Sequence, residues 1–294
     1  MNLKKTYKCN ETGNLQEVQR KLACFEDDIL PFLPSKEAIL ARAKQRQLKK
    51  KTFGASILSV LGLSIGLYWY NPVYQQFDAF TVKGQQDQLS LKDGSLIRLN
   101  SNTQIQVSER LRSREIVLKQ GEASFRVAYS ASAWQKPFER SFIVTAGKMD
   151  IIDIGTVFNV QKHNATDATV AVEEGEVAVK IRGSQNAMIH LLNGQTLSNY
   201  REQLGQIRQA DLYAIQAWQS GELVLNQMPL GTVIENFQRY ADFEVQIQQP
   251  ELAQLQVTGQ FKTKNYQQFM QVLPTVAAVK VEQIAEKQWI IKKN

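Results

Sequence analysis

Cysteine is almost absent from this chain, which has only Cys9 and Cys24, both near its start. No disulfide framework can staple the rest, so the larger part must fold on an apolar core. Histidine is equally scarce, with His163 and His190 alone. Two histidines far apart in sequence, with no cysteine beside them, do not supply the three or four clustered ligands a zinc site requires. The phosphate-cradling loop, the dinucleotide fingerprint and the H-E-x-x-H helix are all missing. A G-x-S-x-G string does occur, at Gly62 to Gly66, but it lies inside an uncharged run and not at the strand-to-helix turn of a nucleophile elbow. Glu173, Glu174 and Glu176 form an acidic cluster whose V-E-E-G-E-V setting reads as a charged hairpin turn, not a catalytic pair. A carboxylate pair assembled by the fold is the one catalytic arrangement left open. The expectation is a protein without enzymatic activity, with no catalytic residue, cofactor or metal.

What is present begins with Thr52 to Tyr70, TFGASILSVLGLSIGLYWY, nineteen residues without a formal charge. As a helix this run covers roughly 28 Å, close to the hydrocarbon thickness of a bilayer. Tyr68, Trp69 and Tyr70 at its far end suit the headgroup layer. Lys44, Arg46, Lys49, Lys50 and Lys51 precede it, whereas the fifteen residues that follow carry only Asp78 and Lys83. The positive-inside rule then puts the N-terminus in the cytoplasm and residues 71–294 outside. The formal net charge of +7 is concentrated before the run: up to Lys51 there are twelve Lys and Arg against six Asp and Glu. That imbalance fits topology and anionic lipid better than direct nucleic-acid binding.

Four segments follow from composition and periodicity. Residues 1–51 give a short helical segment with an apolar face of Leu22, Phe25, Ile29 and Leu30, interrupted by Pro31 and Pro34. A second helical run opens at Ser35 and carries Ile39 and Leu40. Such faces bury little area alone and await a partner. Residues 52–70 form one transmembrane helix, in which Gly62 and Gly66 have the spacing of a close helix pair. Residues 71–203 are a mainly β domain, a sandwich or roll. Short runs such as Phe80 to Val82, Ile116 to Leu118, Phe125 to Val127 and Val170 to Val172 alternate, with Asp93-Gly94, Gln120-Gly121, Glu174-Gly175 and Asn193-Gly194 as turns between them. Residues 204–294 begin with a helical linker over Leu204 to Trp218. They then give two βαβ halves of a small α+β domain, with helix faces Leu230, Val233, Ile234, Phe237 and Tyr266, Phe269, Met270, Leu273.

Several stretches resemble the FecR family of transmembrane sigma-factor regulators. They are L-K-D-G-S-L-I-R-L-N-S-N-T at 91–103, R-E-I-V-L-K-Q-G-E-A-S-F-R-V-A at 114–128, K-P-F at 136–138 and F-I-V-T-A-G at 142–147. Others are I-G-T-V-F-N-V at 154–160, V-A-V-E-E-G-E-V-A-V at 170–179, W-Q-S-G-E-L-V-L-N-Q-M-P-L at 218–230 and R-Y at 239–240. The last repeat, at 259–270, looks like the small STN signalling domain. The resemblance implies an anti-sigma factor in a bacterial inner membrane. Its cytoplasmic segment would hold an extracytoplasmic-function sigma factor, through Leu22, Phe25, Ile29, Leu30, Ile39 and Leu40. Its periplasmic region would read the signalling domain of a TonB-dependent outer-membrane receptor, with a ferric siderophore as the usual input and regulatory proteases at the output. Strand addition or helix-face contact by the last module offers Leu230, Val233, Phe237, Tyr240 and Phe243 to that receptor. The competing reading is an envelope-assembly scaffold that docks a secretin or transporter.

Overall fold

The computed structural model describes residue 16, residues 18–21, residues 35–128 and residues 140–294; within the first long helix, side chains are described up to residue 45 and from residue 59. Cys9, Cys24, Leu22, Phe25, Ile29, Leu30 and the K-P-F stretch lie outside the described residues. The chain divides into two compact units, Met1–Trp69 and Tyr70–Asn294.

The first unit is dominated by α1, Lys36–Tyr70, 35 residues long. Ser35 caps it as its sequence position predicts: its Oγ accepts from the Ala38 amide at 3.2 Å, and its carbonyl accepts from the Ile39 amide. The second helical run and the uncharged stretch are therefore one continuous helix. Ile39, Leu40, Val60, Leu61, Leu63, Ile65 and Trp69 are exposed along it. Among the described residues no helix is long and apolar enough to cross a membrane. Ser64 donates its hydroxyl to the Val60 carbonyl at 2.8 Å, a bond within the helix that leaves nothing of a nucleophile elbow.

The second unit opens with fourteen strands: β1 (Val73–Phe80), β2 (Asp87–Ser90), β3 (Leu96–Leu99), β4 (Gln104–Arg110), β5 (Ser113–Arg126), β6 (Ser141–Ala146), β7 (Met149–Asp153), β8 (Val157–Lys162), β9 (Ala168–Glu174), β10 (Glu176–Ile181), β11 (Ile189–Leu192), β12 (Gln195–Tyr200), β13 (Gln203–Leu204) and β14 (Arg208–Gln209). One layer has the order β1-β4-β5-β6-β7-β10-β11, the other β2-β3-β5-β8-β9-β12. The chain makes a hairpin in one layer, turns a corner and makes the next in the other layer. Side chains facing inward from both layers form one core, including Ile105, Leu118, Phe142, Val144 and Ile151 from the first layer and Ile97, Phe125, Phe158 and Val160 from the second. Phe125 stacks on Phe158 at 5.1 Å and meets Phe142 edge-on at 6.1 Å.

Strand β5 belongs to both layers. Its first half pairs with β4 and β6, and its second half, from Gly121 on, pairs with β3 and β8. Gln120-Gly121, expected to reverse the chain, instead bends a continuous strand from one layer into the other. The reason is steric. At φ +88° a side chain is strained, and a Cβ there would lie 2.3 Å from Thr103 Oγ1 and 2.7 Å from the Asn102 carbonyl oxygen. The V-E-E-G-E-V segment corrects likewise. Strands β9 and β10 do not pair with each other, so Gly175, at φ +86°, is a corner between layers and not a hairpin turn.

Residues 203–209 also depart from the sequence reading. The expected helix over Leu204 to Trp218 is confined to α2 (Leu212–Gln216) and a 3-10 turn at Ala217–Ser220, because β13 and β14 pair with β12 and hold the preceding residues extended. The α+β module follows: β15 (Glu222–Pro229), α3 (Leu230–Gln238), β16 (Glu244–Ile247), β17 (Gln256–Lys262), α4 (Tyr266–Val276), β18 (Val279–Ala285) and β19 (Gln288–Lys293). The two strand-helix-strand halves are present in that order, but their strands separate into a pair, β15-β17, and a three-stranded sheet, β16-β19-β18. Both helices turn their apolar faces into a second core with Phe243, Trp289 and Ile291.

Candidate functional site: the junction of the two modules

Where the α+β module meets the β-rich module, the contact is polar and buried. Its centre is Glu122, the residue that the bend at Gly121 places just inside the second layer. One carboxylate oxygen accepts from Asn100 Nδ2 at 2.9 Å and from Arg239 Nη2 at 2.6 Å; the other accepts from Asn159 Nδ2 at 2.9 Å. Asn100 spends its second amide hydrogen on the Tyr240 hydroxyl at 2.9 Å, and its carbonyl oxygen accepts from the Ser101 amide at 2.7 Å. Ser101 Oγ in turn donates to the Arg239 carbonyl at 2.5 Å and accepts from the Gly84 amide at 2.7 Å. Gln86 Nε2 donates to the Trp218 carbonyl at 2.7 Å, and Arg98 bonds Gln219. Lys83 and Asp242 add an exposed pair at 3.4 Å, worth little in water.

The Glu122 side chain is 8% exposed and that of Arg239 19%. Burial disfavours the guanidinium charge, but the Glu122 carboxylate outweighs it and holds the Arg239 pKa above its ordinary value. Burial pushes the Tyr240 hydroxyl up to about 12. A group whose folded pKa is raised contributes stability that is whole below its unfolded value of 10.0 and is lost as pH rises through about 12. Removing the hydroxyl as Tyr240→Phe leaves one Asn100 hydrogen without a partner and should cost about 1 kcal/mol at neutral pH. The same variant should lose part of the alkaline fall in stability between pH 10 and 12. Parallel urea titrations at pH 7 and above pH 10 check both, and identical alkaline slopes would sink the assignment.

Beside this network lies a cavity of about 190 Å³ bordered by Glu122, Asn159, Trp218, Leu223, Met228 and Tyr240. It is flanked by a wider cleft of about 590 Å³ lined in part by Lys83, Lys162, His163, Thr232 and Glu235.

The residues singled out from sequence are placed elsewhere. His163 Nε2 meets Thr169 Oγ1 at 2.8 Å, and His190 Nδ1 meets Glu176 Oε1 at 2.5 Å, so the two histidines have separate partners. Glu173 accepts from Gln216 on α2 at 2.8 Å, and burial raises its pKa. The acidic cluster is thus divided among different neighbours. Among the described residues no group of three or more His, Cys, Asp or Glu could hold a metal ion. Leu230, Val233, Phe237, Tyr240 and Phe243, expected to face a partner, are all buried, between 0% and 6% exposed. They are the interior of the α+β module, and Tyr240 is also part of the seam. The helical spacing that marked them as a face marks an inward face equally well.

Sequence reasoning did not single out Asn100, Ser101, Glu122, Asn159 and Arg239 as site residues. A signal was present: each lies in one of the stretches that carry the family resemblance, at 91–103, 114–128, 154–160 and 239–240. Those stretches, far apart in the chain, meet at this seam.

Together the fold and the seam define a two-module protein, a β-rich module and an α+β module joined by a buried ion pair and its hydrogen-bond shell. The FecR protein family matches residues 78–178, and the C-terminal FecR module matches residues 222–291, together more than half the chain. The chain belongs to the FecR family. Two crystal structures of a candidate anti-sigma factor from Parabacteroides distasonis share the fold. One, at 2.50 Å resolution, has a TM-score of 0.62 and 21% identity over 75% of this chain and 100% of that one. The other, at 1.65 Å resolution, has the same score and identity over 74% and 99%. No curated protein matches the chain.

Proposed function

We propose that this protein is a non-enzymatic sigma-factor regulator: an anti-sigma factor that relays a signal from an outer-membrane receptor to a sigma factor in the cytoplasm. The observation that carries the reading is the double family match, on the β-rich module and on the α+β module, in a chain that also has a long helix with a basic run before an uncharged stretch.

In this reading Thr52–Tyr70 is a single span of a bacterial inner membrane, with the N-terminus inside and residues 71–294 in the periplasm. The exposure of Val60, Leu61, Leu63, Ile65 and Trp69 supports it, since lipid is the solvent such a surface requires. Residues 1–51 hold an extracytoplasmic-function sigma factor, using Ile39, Leu40 and the apolar positions before them. The α+β module, acting as an STN-like receiver, meets the signalling domain of a TonB-dependent receptor loaded with a ferric siderophore. Because the interior residues of that module are buried, contact falls to its rim and open strand edges. Regulatory proteases complete the release, since a lone span transmits altered protease access more readily than a small twist.

Deleting residues 204–294 should abolish induction of the dependent genes while the protein still reaches the membrane. Full induction in the deletion strain would refute the assigned role. Copurification of a sigma factor with the N-terminal segment is the companion measurement; its absence across growth conditions would favour a scaffold.

A further inference from the structure

Strand β1 is a free edge among the described residues, with one irregularity at Tyr74, between Val73 and Gln75, and regular pairing from Gln75 to Phe80. It pairs with β4 along one side, and no described strand occupies the other. Native sheets blunt such edges by shortness, proline, lysine or inward charge. The four-residue strands β2, β11 and β16 follow that rule, β18 carries Lys280 and Glu282, and of the two-stranded pair β15-β17 the first ends in Pro229 and the second contains Gly259 and ends in Lys262. By contrast β1, V-Y-Q-Q-F-D-A-F, is eight residues long, has no Lys, Arg, Pro or Gly, and leaves Tyr74 57% and Phe80 69% exposed.

Its pattern is also self-complementary. Tyr74, Gln76, Asp78 and Phe80 are exposed at alternate positions, while Gln75, Phe77 and Ala79 are partly buried. Laid antiparallel on itself about Phe77, the strand sets Tyr74 opposite Phe80 of the second copy and Gln76 opposite Asp78 of the second copy. Aromatic faces aromatic, and an amide donor faces a carboxylate, on both sides of the twofold axis. Shifting the axis by one residue to Asp78 would oppose two carboxylates, a repulsive pairing. Lys119 already bonds one Asp78 oxygen at 2.9 Å, which leaves the other for the amide. The bend near Tyr74 is fixed by its own hydroxyl, which donates to Glu109 at 2.5 Å, and by Arg140 against its ring.

We propose that β1 is a homodimer edge: two copies of this chain join by antiparallel pairing of residues 74–80, extending the first layer of the β-rich module into a continuous sheet across the twofold axis. An isologous contact of this kind closes on itself and does not propagate into fibres.

The test is a register-specific disulfide in the full chain. Two differently tagged copies, both with Cys9→Ser and Cys24→Ser, are expressed together, one carrying Gln76→Cys and the other Asp78→Cys, and then oxidised mildly. Directly opposed residues sit at about 5 Å, whereas like positions are diagonal at about 7–8 Å, where a disulfide does not close. The mixed 76-to-78 adduct should therefore exceed the 76-to-76 and 78-to-78 adducts by about tenfold, because only the opposed pair satisfies that geometry. Both sites are exposed, and unchanged thermal midpoints of the reduced variants confirm folding. Equal yields of all three adducts, or none of them from folded protein, would overturn the proposal. So would an adduct to a different protein, which would make β1 the seat of a foreign strand.

Discussion

Arg239→Ala should destabilise the second unit by about 3–5 kcal/mol, the usual cost of removing one partner from a buried ion pair and leaving the other charge uncompensated. Glu122 would keep only the two amide donors from Asn100 and Asn159, in a site from which water is largely excluded. The seam should loosen before the cores do, since both hydrophobic cores are untouched by the change. A shifted urea midpoint in the fluorescence of Trp218, which borders the junction cavity, is the direct readout. The sharper one is a double-mutant cycle. Combining Glu122→Ala with Arg239→Ala should cost much less than the two single changes added together, with a coupling of about 2 kcal/mol or more. A coupling near zero would mean that the two modules hold together without this pair. Under the proposed function, Arg239→Ala at normal abundance should also change the response to inducer.

Gly121→Ala should be comparably damaging, costing about 2–6 kcal/mol from a strained backbone and an overpacked contact together. A non-glycine residue held in a disfavoured backbone region costs about 1–3 kcal/mol. Overpacking a well-filled site adds about 1–3 kcal/mol. The added methyl would meet the backbone of residues 102 and 103, which cannot swing aside as a long side chain could. A fall of roughly 10 °C in the unfolding midpoint is expected for a region of this size. The comparison is Gly183→Ala, which also has positive φ but nothing within 4 Å of the new Cβ, and which should lose only the backbone penalty. Similar midpoints for the two variants would show that the bend at residue 121 tolerates a side chain.

Alternation and turn glycines made the β-rich module legible, because a two-residue period leaves its mark within a few positions. The strand Ala168–Glu174 lies where the run Val170 to Val172 puts it, and Ile116 to Leu118 lies within Ser113–Arg126. The helices Leu230–Gln238 and Tyr266–Val276 were equally readable from one apolar face each. The pattern failed where a local signal admits two tertiary outcomes. A glycine at positive φ reads the same whether the chain reverses or crosses to another layer, so sequence alone does not separate Gly121 and Gly175 from hairpin turns. Leu204 to Trp218 has helical spacing, yet strand pairing with β12 claims its first half. Strand β1 covers Val73–Phe80 and ends where the expected run Phe80 to Val82 begins, because its exposed face mixes aromatic with polar residues and hides the alternation. The seam was hidden for a different reason. Asn100, Glu122, Asn159 and Arg239 are ordinary polar residues, and only the fold brings the other three within 3 Å of the Glu122 carboxylate.

A strand shared by both layers leaves the β-rich module no half to fall back on. Removing β5 deprives β3, β4, β6 and β8 of a neighbour at one stroke. Melting should therefore be all-or-none for this module, with no surviving fragment. A single proteolytic nick between residues 113 and 126 would convert a protease-resistant body into an unravelled chain, and would do so without cutting anywhere else.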